Sequence, residues 1–287
     1  MKLKLTLYHI MLAIVLLYVF SLVIFPLAYS IVMSFTDWKL GEPAHFVGIR
    51  NYYSEFIDYR FYNSLKVTLL ITGVALPIEM ALGLVLAVLL NLKIRFKSAF
   101  KIIFLIPLFC SPVAVSMLGQ VILYEAGGPV NGYLKLLGLP QPHWRTDRNL
   151  APFSVALCDI WEWTPFCFLI FFAAIQAIPR VYYEAAEIDG ASGFQIFRHI
   201  MLPMLTYAFI TVSMFRLVDT LRLFEIPFLL FGGGGPVIAT ETQTIYIYKK
   251  GFRSFLMGEA SANSIVFLVI VMVIMMIFIK KVRKYYA

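Results

Sequence analysis

Six long apolar segments are the feature that most constrains how this chain can fold. They are predicted to cross a membrane at residues 10–35, 67–91, 102–124, 150–178, 204–231 and 261–279. A helix needs about 20 mostly apolar residues to cross a bilayer, and each segment is long enough. Strands of transmembrane barrels are shorter and alternate in polarity, which these segments do not. The sequence therefore predicts an all-α integral membrane protein with six transmembrane helices.

The composition supports this class and excludes others. Apolar residues make up 61% of the chain and charged residues 14%, whereas soluble domains are about 45–50% apolar and about 25% charged. Intrinsic disorder needs low hydrophobicity and is also excluded. The net charge of +8 comes from basic residues in short loops, as in membrane proteins, and predicts a lipid bilayer rather than nucleic acid as the partner.

The distribution of Lys and Arg predicts the orientation in the membrane. Six spans place both termini on one side, and basic residues are denser in the short segments of that side, including Lys93, Arg95, Lys97 and Lys284. The positive-inside rule then places both termini in the cytoplasm. The first segment exceeds the roughly 7–15 apolar residues of a signal peptide and precedes no A-x-A site, so we expect it to be retained.

The loop between the fourth and fifth spans, residues 179–203, has its own local pattern. Pro179 ends the fourth span, and the acidic residues Glu184 and Glu187 are expected in the first turn of a short helix, where they match the helix dipole. Gly190 then ends that helix, since glycine readily takes positive φ. A second short amphipathic helix follows up to Pro203. The pattern predicts a helix, a sharp turn and a second helix.

This loop resembles the EAA loop of ABC transporter permeases. The matching residues are Glu184, Ala185, Ala186, Asp189, Gly190, Ala191, Leu202 and Pro203. Segments 34–38, 46–52 and 233–236 resemble those of the maltose-type, binding-protein-dependent carbohydrate importers, and in particular their first permease subunit. The chain departs from many members in having no proline at 205–207.

The resemblance implies a type I ABC importer permease fold, with residues 1–287 as one transmembrane domain in a bacterial or archaeal cytoplasmic membrane. It further implies a heterodimer with a second permease, two copies of a cytoplasmic ATPase and an extracytoplasmic solute-binding protein. The implied substrate is a sugar or polyol. By the same resemblance, the EAA residues would couple closure of the ATPases to alternating access.

Catalytic motifs are absent from the sequence. There is no G-x-x-x-x-G-K-[ST] motif, and the glycine run 232–235 is followed by Pro236 rather than by a lysine. The histidines and cysteines lack the spacing of metal ligands. We therefore expect a transport subunit that is not an enzyme and binds no metal or cofactor, while a partner ATPase uses ATP and Mg²⁺.

Charged residues inside the predicted spans are the candidates for the substrate path. Such residues are costly in a membrane and usually face a cavity or another helix. The candidates are Asp159, Trp161, Glu162 and Trp163 on the fourth span and Arg216, Asp219 and Arg222 on the fifth. Their pattern fits both ion pairing between helices and contact with a sugar, and we expect Asp219 to pair with Arg216 or Arg222. Glu225 is expected nearer the outer end of the same helix.

Other functions remain as alternatives. A permease for amino acids or peptides would share the coupling loop, but the outer-loop segments argue against it. An ion-coupled secondary transporter would have inverted repeats with broken helices, and no internal repeat is evident. A membrane enzyme would need site chemistry that the sequence lacks.

Overall fold

The computed structural model describes residues 2–92 and 96–283, and within these ranges the chain is helical, with one isolated bridge pair between Thr36 and Phe46. The first helices are α1 Lys2–Val19, α2 Phe25–Ser34, α3 Arg50–Ile57, α4 Tyr59–Asn91, α5 Lys97–Leu105, α6 Pro112–Ile122, α7 Pro129–Leu136 and α8 Ala151–Gln176. The remaining helices are α9 Arg180–Ile188, α10 Gly193–Ile196, α11 Leu202–Met204, α12 Thr206–Leu221, α13 Glu225–Phe231, α14 Gln243–Tyr248 and α15 Met257–Arg283. Lys93, Arg95 and Lys284, which support the predicted orientation, lie outside the described residues.

Four helical segments are long and apolar enough to cross a membrane: His9–Ser34, Tyr59–Asn91, Ala151–Gln176 and Met257–Val282. Two bent pairs raise the number to six if each pair forms one span. In the first segment most apolar side chains are exposed, among them Leu17 and Phe25. An exposed apolar surface of this length fits contact with lipid. The described chain therefore has the helices of a multi-pass membrane protein.

Two compact units form within the described residues, one from 2–61 and 246–273 and the other from 62–92, 96–245 and 274–283. In the first unit, Asn51 fastens the loop after α2. Its side-chain amide donates to the carbonyls of Ser34 and Thr36, at 2.8 Å each. Asn51 and Ser34 belong to two of the segments that suggested the family resemblance. Their local role is to hold the loop against the end of α2.

A buried ion pair lies in the same unit. Glu55 on α3 is fully buried and bonds to Lys250, which also lies 3.2 Å from Glu259. Burial raises the pKa of Glu55, although the bond and charge of Lys250 act to lower it. A buried charge costs several kcal/mol unless it is paired. Lys250 is therefore a structural residue of this unit.

The core of the second unit packs around α8. One apolar cluster joins α8 to α4, α6 and α13, with Val155, Ile71 and Leu230 among its members. A second cluster lies further along α8 and includes Phe171 and Val212. Burying such side chains contributes about 1.5–3 kcal/mol each relative to exposure. Helix α8 is therefore the central element that positions its neighbours.

A glycine on α4 permits a close contact with α8. A Cβ on Gly83 would lie 2.6 Å from Cβ of Cys167 and 2.8 Å from the backbone nitrogen of Phe168. Backbone atoms cannot yield as a flexible side chain can, so the helices would have to separate. A Cβ on Gly73 of the same helix would meet nothing within 4 Å. The two glycines form a matched pair for testing this contact.

We expect Gly83→Ala to destabilise the protein by about 1–3 kcal/mol, the usual range for overpacking a core. Gly73→Ala should be neutral or stabilising by up to about 1 kcal/mol, because alanine favours helix. Thermal unfolding of the purified protein in one detergent measures both. Equal stability of the two variants would contradict the close contact.

The predicted third span, 102–124, is divided in the structure. Helix α5 continues into a tight turn at Ile106–Phe109, Cys110 is extended, and α6 begins at Pro112 after a bend of 99°. Ser111 caps α6 by accepting a hydrogen bond from the backbone N–H of Ala114. Proline has no N–H to continue a helix and is favoured in the first turn of a new one. The bend therefore follows from the local sequence.

The predicted fifth span, 204–231, is also divided. Helix α12 ends at Leu221, Arg222 leaves the helical conformation, and α13 begins at Glu225. The carbonyl of Leu223 accepts hydrogen bonds from the hydroxyls of Thr242 and Thr244, at 3.0 and 2.7 Å. These bonds satisfy a carbonyl freed by the break. The charges expected on one helix thus belong to two, with Glu225 on the second.

Candidate functional site

One face of α8 carries the polar residues of the candidate site. Asp159, Glu162 and Trp163 are three and four residues apart, so they project from the same side of the helix. Asp159 and Glu162 are buried, whereas Trp163 is half-buried. This face lies beside α12, which supplies the partner of Asp159.

Arg216 on α12 is the centre of a buried network and is 1% exposed. Its Nε and Nη2 donate to the carboxylate of Glu79 on α4, at 2.7 and 2.9 Å. Nη2 also donates to Asp159 at 2.8 Å, and Nη1 donates to Asp219 at 2.6 Å. The ring of Trp163 stacks on the guanidinium at 4.5 Å. One arginine therefore ties α4, α8 and α12 together.

Asp219 connects this buried network with the exposed part of the site. One oxygen accepts from Arg216, and the other lies 3.4 Å from Nη2 of Arg222. The Arg222 side chain is 69% exposed, so this second contact contributes little, at most about 1 kcal/mol. The predicted pairing of Asp219 is confirmed, and it involves both arginines.

Two adjoining cavities open beside this network. The charged cavity, of about 360 Å³, is lined by Glu162, Trp163, Asp219, Arg222 and Glu225, together with apolar residues that include Pro112 and Ile226. The aromatic groove, of about 410 Å³, shares Trp163, Asp219 and Arg222 and adds residues such as Phe166 and Val218. An aromatic ring can pack on the C–H face of a sugar, and carboxylates beside the ring can accept hydrogen bonds from the sugar hydroxyls. Both volumes suit a small-molecule ligand.

Trp161 does not join the other candidates. It lines a separate apolar cavity of about 260 Å³ with Leu157, Cys158 and residues of α6. One position before Glu162, it lies on a different face of α8. The structure therefore does not bring Trp161 together with the charged candidates, because adjacency in sequence is not adjacency on a helix.

Glu79 is the residue of this network that the candidate set missed. It is the single charge in the predicted second span, it is fully buried, and it binds Arg216 through both oxygens. A bidentate carboxylate–guanidinium pair is the strongest geometry for such a contact. The sequence did contain a signal for this pair, because one predicted span carries a single acid and another carries an arginine. It did not show that these two helices contact each other.

The loop at 179–203 has the predicted helix–turn–helix form. Helix α9 ends before Gly190, whose φ is +72°. The N–H of Ala191 donates to the carbonyl of Ala186 at 2.9 Å, as in a Schellman motif. Ser192 and Gln195 then form a reciprocal capping box at the start of α10. Helix α9 begins at Arg180, so Glu184 lies in its second turn rather than in the first.

The loop at 179–203 exposes an apolar and acidic surface. Ile188 is 86% exposed and Phe194 is 69% exposed, and the side chains of Glu184 and Asp189 are also exposed. Ala186 and Met201 are buried and anchor the loop to the rest of its unit. Exposed apolar side chains with charged neighbours are typical of a surface that binds another protein.

A carboxylate organises the loop after α6. Glu125 accepts hydrogen bonds from the backbone N–H groups of Arg145 and Thr146 at 2.6 and 2.8 Å, and from the hydroxyl of Thr146 at 2.9 Å. Burial acts to raise the pKa of Glu125, but these hydrogen bonds hold it below its ordinary value. A second hydrogen bond stabilises the same loop: the indole N–H of Trp144 donates to Oδ1 of Asn131 at 2.8 Å.

We expect acid to loosen this loop. The carboxylate of Glu125 has a lower pKa in the folded state than in the unfolded state, where it is about 4.3. Its contribution to the stability of the fold is therefore complete above the unfolded-state pKa, and it is lost as the pH falls through the folded-state pKa. At pH 7, Glu125→Gln should cost about 1.5–3 kcal/mol, the range for hydrogen bonds to a charged group. Hydrogen exchange of residues 142–149, corrected for intrinsic rates, measures both effects. Unchanged exchange in Glu125→Gln, relative to an exposed control such as Glu42→Gln, would contradict this role.

Comparison with known proteins settles the family. The model for the "binding-protein-dependent transport system inner membrane component" family matches residues 79–284. The chain belongs to this family. It is thus a permease, a transport component rather than an enzyme, and the family resemblance inferred from the loop at 179–203 is confirmed.

Two curated relatives and one solved structure agree with this assignment. The trehalose/maltose transport system permease protein MalF of Thermococcus litoralis is 34% identical over 236 residues, or 82% of this chain and 79% of that protein. The sulfoquinovosyl glycerol transport system permease protein SmoG of Agrobacterium fabrum is 31% identical over 264 residues, 91% and 85% of the two chains. A bacterial ABC transporter involved in the import of the acidic polysaccharide alginate matches with a TM-score of 0.87 and 25% identity, over 99% of this chain and 96% of that one. The type I permease fold is therefore confirmed.

Proposed function

We propose that this permease is the membrane subunit of an ATP-driven importer for a sugar or polyol, and that its charged cavity forms part of the substrate path. The observation that carries the proposal is the position of Trp163 beside Glu162 and Asp219 at the cavity wall. Carboxylates accept hydrogen bonds from hydroxyls, and the indole offers a flat apolar face. The relatives named for sugar and glycoside transport support the same class of substrate.

The rest of the importer is supplied by partners. A second permease completes the path as a heterodimer, and two copies of a cytoplasmic ATPase bind ATP and Mg²⁺. An extracytoplasmic solute-binding protein delivers the substrate. The family description, which names binding-protein-dependent transport, supports the last of these partners.

The loop at 179–203, here called the coupling loop, contacts the ATPase in this proposal. Exposed Ile188 and Phe194 provide its apolar surface, and Glu184 and Asp189 provide its charge. Closure of the ATPases moves α9, and the motion reaches α12 through the short helices α10 and α11. Both termini and this loop then lie in the cytoplasm.

Transport by the complete complex tests the path. We expect Asp219→Asn to reduce ATP-dependent sugar uptake into proteoliposomes more than Glu225→Gln does. Asp219 contacts Arg216 and Arg222, whereas Glu225 is exposed at the start of α13. A panel containing trehalose and maltose serves as the set of probes. Normal uptake in Asp219→Asn together with failure of Glu225→Gln would contradict this placement.

A double variant separates the two contacts of Asp219. If the pairing with Arg222 matters for uptake, Asp219→Asn combined with Arg222→Gln should be milder than the sum of the single effects. Additive losses would assign the role of Asp219 to its 2.6 Å bond with Arg216 instead.

A further inference from the structure

Negative charge dominates the wall of the charged cavity. Its ionisable lining residues are the carboxylates of Glu162, Asp219 and Glu225 and the guanidinium of Arg222. Behind the wall, the charge of Arg216 is offset by Glu79 and Asp159, which it contacts directly. Formally, the surroundings of the cavity are therefore anionic.

Glu162 supplies an independent sign that this wall is built for a ligand. It is 3% exposed and lines the cavity, and its Oε2 has no hydrogen-bond partner among the described residues. Buried carboxylate oxygens normally have partners, because leaving one unpaired costs free energy. A hydroxyl of a bound solute would supply the missing donor.

Both arginines at the cavities already contact carboxylates, Arg216 closely and Arg222 weakly. Arg216 uses Nε, Nη1 and Nη2 on three carboxylates. Arg222 lies against Asp219 at 3.4 Å. An anionic ligand would have to compete with these carboxylates and would also meet the charge of Glu162. Repulsion between like charges is strong where water is partly excluded.

We propose that the charged cavity accepts neutral, hydroxyl-rich solutes and discriminates against anionic sugars such as uronates and sulfonated glycosides. The inference rests on the proposed function, because it assumes that the cavity lies on the substrate path. A solute hydroxyl donates to Oε2 of Glu162, and a C–H face of the sugar packs on Trp163. The preference is a property of this chain, separate from that of the solute-binding protein.

Equilibrium binding to the complete transporter in nanodiscs, without the solute-binding protein, tests the selectivity. The probes are trehalose and its monouronate, in which one CH₂OH group is oxidised to a carboxylate. We expect the wild type to bind the monouronate at least about tenfold more weakly than trehalose in isothermal titration calorimetry. Glu162→Gln, which keeps the shape and removes the charge, should bring the two affinities to within about threefold. Glu42→Gln, in the loop before α3, should keep the wild-type ratio.

The outcomes separate the two proposals. Equal binding of both probes by the wild type would overturn the selectivity and leave the path in place. A ratio unchanged by Glu162→Gln would overturn the role of Glu162 as the discriminating residue. If neither probe binds, the charged cavity is not a site for these sugars, and its placement on the substrate path fails together with the inference.

Discussion

Replacement of Arg216 by Gln is expected to prevent accumulation of the folded permease. Glu79 and Asp159 would remain fully buried without the guanidinium that now contacts both. Removing one partner of a buried ion pair costs about 3–5 kcal/mol, a large part of the stability of a domain. The amount of permease in the membrane fraction and its melting temperature in detergent measure the effect.

Arg222→Gln is the matched control, because Arg222 contacts the same Asp219 from an exposed position. We expect it to change stability by less than about 1 kcal/mol. The double variant Glu79→Gln with Arg216→Gln should be less destabilised than the sum of its single changes. Wild-type stability of Arg216→Gln would show that the network does not hold the helices together.

Gly190→Val is expected to uncouple the permease from ATP hydrolysis while leaving assembly intact. Gly190 has a φ of +72°, and a Cβ there would meet nothing within 4 Å. The penalty therefore comes from the backbone alone, about 1–2 kcal/mol for the left-handed conformation. A shift of that size changes the population of the bent loop by about 5–30-fold. Substrate-stimulated ATP hydrolysis by the complete transporter should fall accordingly.

Gly193→Ala is the control for the turn. Gly193 begins α10 without a positive φ, and a Cβ there also meets nothing within 4 Å. The Gly193→Ala variant should retain normal substrate stimulation of ATP hydrolysis. Glu184→Lys, which reverses an exposed charge on α9, should lose stimulation as Gly190→Val does. Normal stimulation in both Gly190→Val and Glu184→Lys would contradict the coupling role of the loop.

The parts of the fold that follow from local sequence were predictable. Long apolar segments indicate helices in lipid whatever their packing, because the backbone must satisfy its own hydrogen bonds there. The turn at Gly190 was predictable for a similar reason, since glycine, proline and capping residues act on their immediate neighbours. The identification of Glu184 and Asp189 as coupling residues remains a prediction.

The parts that depend on contacts between helices were not predictable from the sequence. Glu79, one of the three carboxylates that Arg216 contacts, lies 137 positions from Arg216 in the chain. The break after Leu221 depends on threonine hydroxyls that approach from residues 242 and 244. Each of these features is set by tertiary packing, which one sequence does not reveal.

Protection of a cysteine by substrate tests the central claim most directly, in the aromatic groove that shares Trp163, Asp219 and Arg222 with the charged cavity. Val218→Cys would place a thiol in the groove, and Leu136→Cys would place one at the exposed end of α7, both in a background without Cys110, Cys158 and Cys167. The measurement is the labelling rate by a small hydrophilic thiol reagent in the complete transporter, with and without the transported sugar. We expect the sugar to slow labelling at position 218 and to leave position 136 unchanged. Equal labelling at position 218 with and without sugar would contradict the placement of the substrate path at this site.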